Sequence, residues 1–191
     1  MGIHLKAFFR PVLVVLLCCT FTFCSNDDYY EVTFIGDSIT SKWDLKRCFP
    51  STISHNWGKS GAGISYIESL EGNTVGKNLV ILIGTNDYTL WDDTYVDRYI
   101  RALSKLNSEH IVLISILPRF YKGDNSDING RINTINRKIK AIVSSIGYTY
   151  IDAYSKLMAK KNVRYEYYTD GLHLNEKGYE LLTESINEAI L

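Results

Sequence analysis

Three near-continuous apolar runs, at residues 32–35, 79–83 and 111–116, constrain the fold of this chain more than any other feature. A strand that is apolar on both faces cannot leave either one in water, so each run must be covered on two sides, as in a parallel sheet flanked by helices. Between the runs the apolar spacing changes to steps of three and four. The longest such segment sets Ile128, Ile132, Ile135, Ile139, Ile142 and Ile146 on one helical face, behind the cap candidates Asn125, Ser126 and Asp127. A second helix is expected over residues 93–107, burying Val96, Ile100 and Leu103, and a last one after Asn175 uses Leu181, Leu182, Ile186 and Ile190. This alternation predicts an α/β fold with a central parallel sheet. With 191 residues, 46% of them hydrophobic, and no internal repeat or long linker, the core belongs to one domain.

The first 23 residues carry a different signal. Lys6 and Arg10 precede an apolar stretch over residues 12–23, shorter than the ~20 residues a membrane-spanning helix needs and suited to an export signal. The sequence turns polar at Cys24-Ser25-Asn26-Asp27-Asp28, which resembles the lipidation site of a bacterial lipoprotein, although Phe23 stands where a small residue is usual. The expected organisation is a lipoprotein-type signal peptide over 1–23, a tether over 24–30 and a folded domain over 31–191. The domain would be exported and held to a membrane only through lipid on Cys24, in the bacterial periplasm or at the cell surface. Loss of residues 1–23 would leave 19 basic against 21 acidic residues, a balance that suggests no nucleic-acid partner. Cys18 and Cys19 would leave with the signal, and Cys48 beside Phe49 reads as a small buried hydrophobe, so no disulfide framework is expected.

Chemistry-bearing residues gather where the predicted strands end. Gly36-Asp37-Ser38-Ile39 follows the run at 32–35, Asn56-Trp57-Gly58-Lys59-Ser60-Gly61 follows a short strand near residues 54–56, and Gly84-Thr85-Asn86-Asp87 follows the run at 79–83. All three therefore lie at the carboxyl edge of the sheet, where open α/β folds bind ligands. Ser38 sits where a strand turns into a helix, with its hydroxyl at the helix start. Taken alone, Asp37 and Ser38 read equally well as N-cap residues. Acyl transfer needs donors for an oxyanion, and the amides of Ser38 and Gly61 and the Asn86 side chain are candidates, with Gly58 a rival to Gly61. His173 follows Asp170 by three residues, so one turn can set the carboxylate against one imidazole nitrogen and leave the other for Ser38. His55 and His110 border strands and read as structural. No Cys or His cluster supplies metal ligands, and hydroxyl-nucleophile chemistry of this kind requires neither a metal nor an organic cofactor.

In this order the four blocks, the last being Asp170-Gly171-Leu172-His173, resemble those of the SGNH hydrolase superfamily, the GDSL-type esterases and lipases. The resemblance implies a flavodoxin-like three-layer α/β/α sandwich, Ser38 as nucleophile, Asp170 and His173 as the rest of a triad, and Ser38, Gly61 and Asn86 as the oxyanion hole. Ile39 replaces the leucine of many members, and Ala62 stands where an acidic or amide residue often follows the glycine. The function expected is an exported serine esterase that hydrolyses short acyl esters, acetyl above all, on a small molecule or glycan. No hydrophobic insertion offers a groove for a long acyl chain. Tyr66, Tyr88, Trp91, Tyr165, Tyr167 and Tyr168 flank the motifs and suit stacking on a ring. The alternatives are a lysophospholipase or thioesterase for longer chains and a noncatalytic glycan-binding surface lipoprotein.

Overall fold

The computed structural model describes residues 31–73 and 76–190. The expectations for residues 1–30, including the lipid-bearing Cys24, lie outside the described residues. In chain order the elements are β1 (Glu31–Gly36), α1 (Ser38–Ser41), α2 (Leu45–Cys48), β2 (Ile53–Gly58), α3 (Ile64–Glu68), β3 (Asn78–Leu82) and a 3₁₀ turn at Thr85–Asp87. There follow α4 (Asp93–Ser104), β4 (His110–Ile114), α5 (Ile128–Ser145), β5 (Thr149–Ile151), α6 (Ala153–Lys156), the two-residue strands β6 (Met158–Ala159) and β7 (Asn162–Val163), and α7 (Glu176–Ile190).

Five strands form one sheet in the order β2-β1-β3-β4-β5, with every neighbouring pair parallel. The chain leaves β1 toward β2 and returns across it to β3, so the carboxyl ends of β1 and β3 frame the point where strand order reverses, the usual place for a crevice. The apolar runs divide by alternation. Ile35, Ile81 and Leu113 face one core shared with α3, α4 and α5, and Phe34, Val80, Leu82, Val112 and Ile114 face another shared with α1, α2, α6 and α7. Both faces of the sheet are thereby covered, and the architecture is the three-layer α/β/α sandwich.

The helices deviate from the sequence reading mainly at their ends. In α4, Val96 and Leu103 are buried and Ile100 is partly so. The isoleucine series of α5 ends one step early, because the helix stops at Ser145 and Gly147 turns the chain at φ +84°, leaving Ile146 exposed. Asp127 caps α5 without a side-chain bond, while Asn125 Oδ1 accepts from the Asp127 amide at 3.1 Å. In α7, Leu182 and Ile186 enter the core and Leu181 packs on its margin. The Tyr179 hydroxyl of α7 donates to the Ile39 carbonyl of α1 at 2.8 Å, joining the last helix to the first. The edge strand β5 has no apolar run to announce it: only Ile151 is fully buried.

Candidate active site

At the end of β1 the chain must turn against β3 with no room to spare. A Cβ on Gly36 would lie 2.1 Å from Thr40 Oγ1 and 2.2 Å from the Leu82 carbonyl oxygen, so only glycine fits. Asp37 then caps α1, its Oδ1 accepting from the Ile39 amide at 2.8 Å. Ser38 is the first residue of that helix, and its Oγ is instead hydrogen-bonded to His173 Nε2 at 2.9 Å. The cap bond and the bond to the histidine thus fall to two different residues. Asp37 is 1% exposed. Its burial pushes its carboxyl up to about 7, opposed by the Ile39 amide and assisted by the nearby charge of Asp87.

His173 is held on the opposite side by its own loop. Asp170 Oδ2 lies 2.7 Å from His173 Nδ1, while Asp170 Oδ1 accepts from the amides of His173 at 2.8 Å and Leu172 at 3.0 Å. Burial works to raise the Asp170 carboxyl, but the bonds from the His173 ring and from the two amides outweigh it and hold the group at about 2. The loop closes on itself through the Thr169 amide, which donates to the His173 carbonyl at 2.9 Å, and a bridge between Tyr168 and Leu174. It is pinned from outside where the Phe120 amide donates to the Gly171 carbonyl at 2.9 Å. Gly171 adopts φ +86°, and a Cβ there would lie 2.8 Å from the Phe120 carbonyl oxygen, so this contact also requires glycine.

The rival glycines after β2 differ in what their amides do. Gly58 donates to Asn56 Oδ1 at 2.9 Å, and a Cβ on it would lie 2.2 Å from the Ser41 nitrogen, so it serves close packing. Gly61, at φ +76°, is exposed and its amide has no acceptor among the described residues. Its loop stays beside α1, since the Lys59 amide donates to the Gly36 carbonyl at 2.9 Å. Asn86 joins the same loop from the β3 side, Nδ2 donating to the Ala62 carbonyl at 2.8 Å and keeping a second N–H in reserve. Ser38 begins a helix, so its amide has no partner within that helix. The structure therefore links Ser38, His173 and Asp170 directly, and ties Gly61 and Asn86 together through the Ala62 carbonyl.

Asp87 and Arg119 are supports that the sequence reading did not single out. Buried Asp87 Oδ2 accepts from the Ile64 amide and from the Tyr95 hydroxyl, each at 2.9 Å, which fixes α3 and α4 behind Asn86. Burial raises its carboxyl against the pull of those two donors. Arg119 is buried and grips Asp124 twice, Nε to Oδ2 at 3.0 Å and Nη2 to Oδ1 at 2.7 Å, and its Nη1 donates to the Thr85 carbonyl at 3.1 Å. Next to Asn86 a cleft of about 590 Å³ opens, with Leu172, the neighbour of His173, in its wall. Of the flanking aromatics, Trp91 and Tyr168 are core residues, whereas Tyr88 and Tyr165 are 44% and 61% exposed. Tyr66 donates to the Trp57 carbonyl, and Tyr167 stacks under Arg164. His55 pairs with Glu31 at the amino end of β1, away from the site, and Cys48 is a partly buried free thiol.

Comparison with known proteins accords with this geometry. Residues 34–181 match the profile of the GDSL-like lipase/acylhydrolase family. An N-acylneuraminate cytidylyltransferase of Escherichia coli is 29% identical over 181 residues, covering 86% of this chain and 41% of that relative, so the chain spans less than half of the relative's length. A GDSL-like lipase from Bacteroides thetaiotaomicron superposes with a TM-score of 0.69 at 21% identity, covering 84% of this chain and 87% of its own. An acetylxylan esterase from Geobacillus stearothermophilus superposes with a TM-score of 0.61 at 17% identity, covering 84% and 94%. At these identities the two structures establish a common fold.

Proposed function

The chain belongs to the GDSL-like lipase/acylhydrolase family, and from that premise we propose that it is an exported serine esterase acting on short acyl esters of carbohydrates, acetyl esters above all. The observation that carries the reading is the relay from Ser38 Oγ to His173 Nε2 at 2.9 Å and from His173 Nδ1 to Asp170 Oδ2 at 2.7 Å. In this mechanism Ser38 Oγ attacks the ester carbonyl as His173 takes its proton, and Asp170 stabilises the imidazolium. The Ser38 and Gly61 amides and the second N–H of Asn86 receive the oxyanion. Collapse of the tetrahedral intermediate breaks the bond to the alcohol, which leaves with the proton from His173. Water, activated by the same imidazole, then releases the acid from Ser38.

The short-acyl preference is supported by the cleft beside Asn86, where Arg119, Lys122, Asp124, Asn125 and Arg131 interrupt the apolar wall that a long acyl chain would need. The carbohydrate preference is supported by the exposed tyrosines around it. A relative named for N-acylneuraminate, a sugar derivative, and a common fold with an acetylxylan esterase are in keeping with it. The test compares kcat/KM for acetyl, butyryl, octanoyl and palmitoyl p-nitrophenyl esters and measures acetate release from an acetylated oligosaccharide. Acetyl should be preferred, and Ser38→Ala should lose both turnover and fluorophosphonate labelling. A steady rise toward palmitoyl with no acetate released would reassign the enzyme to lysophospholipid or thioester chemistry. Export with lipid on Cys24 is part of the same reading, motivated by Lys6, Arg10 and the apolar stretch before Cys24. Intact-mass analysis should find the mature chain starting at a lipid-modified Cys24, and an unmodified Cys24 would refute it.

A further inference from the structure

The cleft beside Asn86 carries a charge pattern that the hydrolytic reaction does not call for. Its walls hold Arg119, Lys122 and Arg131 against one carboxylate, Asp124, whereas the chain as a whole balances 21 basic against 21 acidic residues. Asp124 is consumed by its two-point grip on buried Arg119. The other two cations have no carboxylate partner among the described residues. Arg131 is partly exposed and held in place by neutral groups: Nη2 donates to the Tyr88 carbonyl at 2.9 Å, and the guanidinium lies 5.6 Å from the Trp91 ring centre. Its remaining N–H donors, in a planar fork that fits a carboxylate, are left for an external acceptor. Arg131 also lines an adjoining cleft of about 370 Å³, so it stands at the junction of two hollows.

We propose that Arg131, with Lys122 at the rim, selects esters whose alcohol portion carries a carboxylate, so that the preferred substrate is an acylated acidic sugar. The inference rests on the esterase reading above. In that reaction the alcohol must depart within reach of His173, and the wall of the cleft includes Leu172 beside that histidine and Asn86 on the oxyanion side. The alcohol portion therefore extends into the basic cleft while the small acyl group stays near Ser38. Tyr88 and Tyr121, whose ring centres lie 5.4 and 5.9 Å from the guanidinium carbon of Arg119, are exposed and line the path of the sugar. A pre-held guanidinium meeting a carboxylate makes charge-assisted hydrogen bonds that a neutral sugar cannot replace.

The experiment uses the intact enzyme and a matched pair of O-acetylated uronic acid oligosaccharides, one with free carboxylates and one with those carboxylates converted to primary amides. Acetate release gives the ratio of kcat/KM for the anionic over the neutral substrate. The wild-type ratio should be about tenfold at low salt and shrink as NaCl screens the charge. Arg131→Gln should bring it close to one, Arg131→Lys should restore part of it, and Lys122→Gln should lower it by a smaller factor. A wild-type ratio of one, or a ratio that Arg131→Gln leaves unchanged, overturns the inference while the esterase reading stands. No turnover of either oligosaccharide or of p-nitrophenyl acetate sinks the esterase reading and this inference with it. The salt dependence of the wild-type ratio tests the proposal even where a variant fails to fold.

Discussion

Replacing Asp37 with asparagine should change the pH dependence of stability in a direction fixed by burial. The carboxyl is 1% exposed and sits at about 7 in the folded protein against an ordinary 3.8. Well below pH 3.8 it is protonated in both the folded and unfolded states. As pH rises, the unfolded chain gives up this proton first while the folded protein keeps it, so stability falls until the folded group itself ionises near 7, and is level above. From 3.8 to about 7, at 1.36 kcal/mol per tenfold, the loss is roughly 4 kcal/mol. Between pH 5 and pH 8 the same arithmetic gives about 3 kcal/mol. Asparagine keeps an oxygen for the Ile39 amide and has no charge to bury. Relative to wild type, Asp37→Asn should therefore gain about 3 kcal/mol on going from pH 5 to pH 8, on the order of 10 °C in Tm. Urea denaturation at the two pH values, followed through the buried indoles of Trp43 and Trp91, measures this double difference. It cancels whatever the amide gains or loses by its own fit. Wild-type and variant stabilities that run parallel with pH would refute the reasoning.

The remaining expectations concern the site and its supports. Asn86→Ala should lower kcat by roughly 10²- to 10³-fold in steady-state assays, as expected for one lost oxyanion donor. Asp170→Asn, which leaves the imidazole without its orienting charge at Nδ1, should lower kcat by on the order of 10⁴ while circular dichroism stays native. Gly63→Ala would put a Cβ 2.0 Å from Asp87 Oδ1. It should cost about 1–3 kcal/mol in urea denaturation, because buried Asp87 cannot move without releasing Ile64 and Tyr95.

What was legible in the sequence follows the range of the interactions. The doubly buried strands announced β1, β3 and β4, and the three-residue spacing of Asp170 and His173 announced a local hydrogen bond, because both patterns are complete within a few positions. The choice between Gly58 and Gly61 was not legible, since it turns on which amide meets Asn56 Oδ1. Which of Asp37 and Ser38 caps α1 could not be told until His173, far along the chain, supplied a partner for the other. Arg119 and Asp124 carry no sequence signal, and only folding shows that the pair is buried, with Arg119 against Thr85. Phe120 escaped notice for the same reason: its amide matters only once the Gly171 loop reaches it. The edge strand β5 is too short and too polar to carry a pattern of its own.

The bond between the Tyr179 hydroxyl and the Ile39 carbonyl has a consequence in time. Ser38 is made early and His173 late, and α7, which follows the histidine loop, is fastened to the helix that presents the serine. A nascent chain can complete β1 through β5 and still lack the bond between Ser38 and His173. On the triad proposed above, ester hydrolysis needs the histidine loop beside α1, so turnover reports that the two ends of the domain have met. On the same reading, a protease that frees α7 should lower turnover without cutting near Ser38.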